Sequence, residues 1–135
     1  MNLPRSLRHA LAALLVLPAG ALACSCRPAS LSERVNLAEV VLIAVVVDAR
    51  PLQQVTLKSM EIFKGRPGKL LTIRTGESDC DFFLPPVRPR AGDEYLLYVG
   101  RSENRFFVSR CLNSGLVAER RAELQELRKW RRARP

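Results

Sequence analysis

Histidine is almost missing from this chain. The single one among 135 residues is His9, and none occurs from Cys24 onward. That excludes Ser-His-Asp and Cys-His catalysis from residues 24–135, together with any metal site that relies on imidazole. An enzyme built here would have to use carboxylates, lysine or tyrosine. The carboxylates do not help: Glu61, Asp93 and Glu94 are scattered without acid/base spacing. There is no phosphate-cradling glycine loop and no internal repeat. Beyond residue 23 no apolar stretch approaches the ~20 residues that a bilayer span requires. These absences point to a protein that binds, not an enzyme, and they call for no cofactor.

The first 23 residues read as a secretory signal peptide. Arg5 and Arg8 form a positive start, Ala10 to Leu17 are unbroken apolar residues, and Pro18 and Gly20 break the helix. Ala21-Leu22-Ala23 is a small-residue cleavage site. Cleavage there makes Cys24 the first residue, with an unblocked α-amino group, and places the protein outside the cell or in the periplasm. The competing reading is lipoprotein anchoring at Cys24, which usually has a larger aliphatic residue where this chain has Ala21. Residues 24–135 then form a single domain of 112 residues (135 less 23).

Two of the 22 basic residues and none of the 13 acidic ones precede Cys24, so removing the segment takes the net charge from +9 to +7. A basic surface favours anionic partners, and for an exported protein envelope polymers are better candidates than nucleic acid. The basic residues concentrate at the end of the chain, in Arg128, Lys129, Arg131, Arg132 and Arg134. They form a candidate anion-binding group, although cations at a helix end also complement its dipole.

All four cysteines, Cys24, Cys26, Cys80 and Cys111, follow the cleavage point, which fits two disulfides in an exported chain. A Cys24–Cys26 bond would close a very small, strained ring. Each of that pair is therefore expected to reach one of Cys80 and Cys111. Each such bridge contributes roughly 4 kcal/mol in the chain-entropy model. A zinc site of four thiolates is the alternative, but the spacing does not match the usual zinc pairs.

The pattern from residue 30 onward is mainly β. Ser30-x-x-Glu33 is a capping box. Leu37 to Val47 is a valine-rich run that predicts a strand buried on both faces. Val55 to Phe63, Lys69 to Arg74, Glu94 to Val99 and Arg105 to Arg110 are four further strands. A loop with Pro85, Pro86 and Pro89 separates the third from the fourth, and Glu103-Asn104 is a hairpin turn. Leu116 to Arg132 reads as a helix with Leu116, Ala118, Leu124, Leu127 and Trp130 on its apolar stripe. Phe82, Phe83, Tyr95, Phe106 and Phe107 read as core. The expected architecture is a five-stranded antiparallel barrel of the oligonucleotide/oligosaccharide-binding (OB) type with a C-terminal helix.

Several segments together resemble the netrin-like, N-terminal domain of the tissue inhibitors of metalloproteinases. Cys24-Ser25-Cys26-Arg27-Pro28 is similar to that family's mature start. Leu57 to Gly65 is similar to its strand ending in aromatic-Lys-Gly. Asp79-Cys80-Asp81-Phe82, Tyr95-Leu96-Leu97 and Val108-Ser109-Arg110-Cys111 follow in the family's order. The chain departs from the family in lacking the cysteines of a third disulfide.

The resemblance implies a netrin-like domain over residues 24–135, with bridges Cys24–Cys80 and Cys26–Cys111. It implies that the Cys24 amine and carbonyl chelate the zinc of a target metalloprotease, so the chain needs no metal of its own. Ser25 would enter the protease's specificity pocket, and Ser78, Asp79 and Asp81 would form the adjoining ridge. A structural or adhesive envelope module, acting through the basic helix, is the alternative.

Overall fold

The valine-rich run becomes strand β1 (Val40–Arg50), and it is buried on both faces for most of its first half. A computed structural model describes residues 24–134 of the chain; the expected signal peptide lies outside the described residues. Side chains alternate across a strand. Val40, Leu42, Ala44 and Val46 accordingly point into one apolar cluster, and Val41 and Ile43 into another. Strand β4 (Glu94–Ser102) repeats the division, with Tyr95, Leu97 and Val99 in the first cluster and Leu96 and Tyr98 in the second.

The first cluster is the interior of a closed barrel. Strands β1, β2 (Gln54–Lys64), β3 (Leu70–Arg74), β5 (Arg105–Val108) and β4 follow one another round it, and β4 pairs back onto β1. Four of these five contacts are antiparallel. The fifth, β3 against β5, is parallel, with Ile73 opposite Phe106. An odd number of strands cannot alternate direction all the way round a ring, so closure forces one parallel pair on the antiparallel plan. The mainly β barrel with a C-terminal helix fits an OB-like fold. One extra strand, β6 (Gly115–Leu116), lies on β4 outside the ring.

The second cluster lies between the barrel wall and two helices, α1 (Leu31–Leu37) and α2 (Arg121–Arg132). Val35 and Ala38 from the α1 side and Leu124 and Leu127 from α2 cover Val41, Ile43, Leu96 and Tyr98. The capping box is formed in full: Glu33 N donates to Ser30 Oγ, and Ser30 N donates to Glu33 Oε2, both at 3.2 Å. At the other end of α1, Lys64 Nζ donates to Val35 O at 2.8 Å and to Ala38 O at 2.5 Å. An ammonium thus takes carbonyls that the helix itself leaves unpaired. Gly65 follows with φ +86°, and a Cβ there would lie 2.5 Å from Glu39 O. The Phe63-Lys64-Gly65 signature therefore joins the β2 end to the α1 end.

Several sequence expectations shift at their boundaries. Leu37 belongs to α1 and is 70% exposed, not the first residue of a strand. The C-terminal helix begins at Arg121, because Gly115–Leu116 pairs with β4 and Val117–Glu119 makes a 3-10 turn. Leu116 consequently packs against the barrel interior and Ala118 is exposed; neither joins the helix stripe. Phe82, Phe83 and Tyr95 are core and meet edge to face. Phe107 is not core: β5 alternation turns it outward, and its ring lies over Gly100, the nearest space a Cβ there would need.

If one wall serves two cores, truncation in either should be costly. Leu97→Ala inside the barrel and Leu127→Ala beneath α2 should each destabilise by ~2–5 kcal/mol in urea unfolding. Leu37→Ala, on an exposed position, should change stability by no more than about 0.5 kcal/mol.

Candidate functional site

The chain from Cys24 to Ser30 has no helical or strand structure and lies on the surface, with Ser25, Cys26, Arg27 and Pro28 exposed. Ala29 and Ser30 are tied to α1, and the stretch before them is held mainly by the two bridges. Cys24 is joined to Cys80 and Cys26 to Cys111, each with a Cα–Cα distance of 5.0 Å. This is the pairing implied by the family resemblance. All four cysteines are bonded, so no thiolate remains for a zinc site. The bridges lie side by side, with Cys24 Sγ 3.7 Å from Cys111 Sγ.

Cys80 and Cys111 come together because their segments are stitched to one another. Arg110 N donates to Cys80 O at 2.8 Å, and Phe82 N donates to Val108 O at 2.9 Å. The Arg110 guanidinium donates from Nε to Asp81 O at 2.8 Å and from Nη2 to Pro85 O at 3.1 Å. The 3-10 turn Arg110–Leu112 carries Cys111 and is capped by Ser109 Oγ. The amino-terminal segment is also held from behind. Arg34 donates to Ala29 O at 2.5 Å and forms an ion pair with Glu123.

That ion pair belongs to a cluster that no sequence motif marks. Tyr98 Oη donates to Glu123 Oε1 at 2.8 Å, and Asn113 Nδ2 donates to Glu123 Oε2 at 2.9 Å. Burial pushes the Tyr98 hydroxyl well above its ordinary value, and Glu123 adds to the effect. Burial opposes the charge on Arg34, but its bonds to Glu123 and Tyr98 outweigh that and raise its pKa. The group ties α1, β4, α2 and the turn after Cys111 into one support under the segment.

Around the bridges the sequence-predicted residues divide. Ser78 and Asp79 are exposed beside Cys80. Asp81 is not available there. It is 6% exposed, and its Oδ2 accepts from Glu77 N at 3.0 Å. Its carboxylate fastens the loop, because a buried charge needs donors and the backbone supplies them. Beside the Cys24–Cys80 bridge is an open cleft of about 410 Å³, with Glu77, Ser78, Arg105 and Phe107 in its walls.

A scan against protein-family models and a search of curated proteins each found no match to this chain.

The basic residues near the chain end are largely engaged within the protein. Arg128 Nη2 and Arg131 Nη2 reach Glu61 at 3.0 and 2.9 Å, and Lys129 pairs with Glu126 at 3.1 Å. Arg131 also lies over the Phe63 ring and Arg134 over Trp130. Arg132 is exposed. No described helix is long and apolar enough to cross a membrane.

Hydrogen bonds from Arg128, partly opposed by burial and joined by those from Arg131, hold the Glu61 carboxyl below the usual carboxylate range. A carboxyl with a depressed folded-state pKa adds stability above its unfolded value, and that stability is lost as pH falls through the folded value. Stability of the native protein should therefore fall more steeply than that of Glu61→Gln between about pH 5 and pH 3. Thermal unfolding across that range checks it; parallel curves would show that the pairs contribute nothing.

Proposed function

We propose that this is an exported binding domain whose amino-terminal end inhibits a zinc metalloprotease. The observation that carries the reading is the bridging of Cys24 and Cys26 to two separate segments, with Ser25 exposed between them. Cleavage after Ala23 would leave an amine and a carbonyl on Cys24. An α-amino group titrates near 8, so a useful fraction is neutral and able to ligate at physiological pH. The two atoms close a five-membered chelate on the protease's zinc. The bridges hold the segment in place before binding, which lowers the ordering cost. Ser25 then enters the specificity pocket, and Ser78 and Asp79 flank it.

The fold and the resemblance to the tissue inhibitors of metalloproteinases both support this reading, and two disulfides fit an oxidising compartment. Adhesion to anionic envelope polymers through the helix end is less favoured. Glu61 and Glu126 already pair with three of the five cations that would have to make the field.

The test is an alanine added before Cys24, which turns the amine into an amide. The extended protein should unfold at the same urea concentration as the native form and inhibit none of the zinc metalloproteases that the native form inhibits. Equal inhibition by the two forms, or none by the native form across a broad panel, would overturn the reading.

A further inference from the structure

A second concavity, independent of the protease reading, lies between the β1–β2 turn and the proline-bearing loop. It measures about 420 Å³, within the usual range for small-molecule sites, and is lined mainly by apolar groups, among them Pro51, Leu52, Phe83 and Val87. Arg50 and Arg88 also line it, and no acid does among the described residues. Asp48 lies 3.8 Å from Arg50 Nε on an exposed stretch, too loose a contact to neutralise the rim.

The walls are tied together by backbone bonds. Thr75 N donates to Gln53 O at 3.0 Å, Gln53 N to Arg50 O at 3.0 Å, and Val87 N to Leu84 O at 2.9 Å. Gly76 allows the closest approach: with φ +80°, it sits where a Cβ would lie 2.5 Å from Leu52 O.

Two features of its lining bear on what could bind there. Leu52 has φ +59°, a conformation that a leucine rarely adopts, and its side chain is 62% exposed at the lip. Thr75, in the wall, is 4% exposed, and its hydroxyl has no hydrogen-bond partner among the described residues. A buried hydroxyl without a partner is costly, so this wall of the concavity carries an unmet polar group.

We propose that this concavity binds a small organic acid with an apolar aromatic or short-chain body. The body would cover Leu52 and Phe83, and the carboxylate would lie toward Arg50 and Arg88. The apolar walls select the body, and the two cations without an acid among them select the charge.

The probes are 4-phenylbutyrate and octanoate, with their primary amides as uncharged controls, titrated into ¹⁵N-labelled protein recovered from export. Both acids should give saturable shifts of the Leu52, Thr75 and Val87 amide signals. The amides should bind at least about fivefold more weakly, the scale of one exposed ion pair. The double variant Arg50→Gln/Arg88→Gln alters only exposed side chains; it should keep the fold and lose the preference for acids. Absence of saturable shifts at those three signals, equal binding of acids and amides, or shifts confined to the Arg128–Arg134 helix end would each overturn the proposal.

Discussion

One strand wall, buried on both sides, organises this molecule. The first half of β1 separates two apolar layers, the barrel interior and the helix-covered exterior. A residue placed there contributes to whichever layer its side of the strand faces. A slip of one residue would exchange the two sets of side chains, so the pairing of β1 with β2 and with β4 is strongly specified. Both candidate sites are attached to this frame. The helices cover its outside, the Cys80 loop and the Cys111 turn meet just past the end of β5, and the turn after β1 shapes one wall of the second concavity.

The amino-terminal segment depends on that frame without being part of it. It has no strand partner and no helix, so fixing it in one position must come from covalent bonds and a few side chains. Two bridges spanning 56 and 85 residues supply the covalent part. Arg34 supplies the rest, donating to Ala29 O on one side and engaging Glu123 on the other. In an oxidised protein the segment is thus tied to the barrel at two points, which restricts the conformations open to it.

Much of this was legible in the sequence, for physical reasons. An unbroken β-branched run signals a strand covered on both faces, and β1 is one. The capping box at Ser30 and Glu33 is a local signal, and it forms as read. Signals that depend on distant partners were not legible. The apolar run from Leu37 crosses a helix-strand boundary that composition does not mark. Leu116 is apolar in any setting, and only its pairing with Tyr95 shows that it faces the barrel and not a helix stripe. The basic chain end reads as a free field until Glu61 arrives on β2, 67 residues before Arg128 in the chain. Asp81 reads as a ridge residue until the loop closes and the backbone takes its carboxylate. The Thr75 concavity depends on two turns meeting, and neither turn announces the other.

If the chain is exported and cleaved as proposed, intact mass with fragmentation between Cys24 and Cys26 reads the start of the chain and both bridges in one experiment. The expected product starts at an unmodified Cys24 amine, contains no titratable thiol, and links Cys24 to Cys80 and Cys26 to Cys111. A retained leader, an acyl group on Cys24, free thiols or the crossed pairing would contradict it.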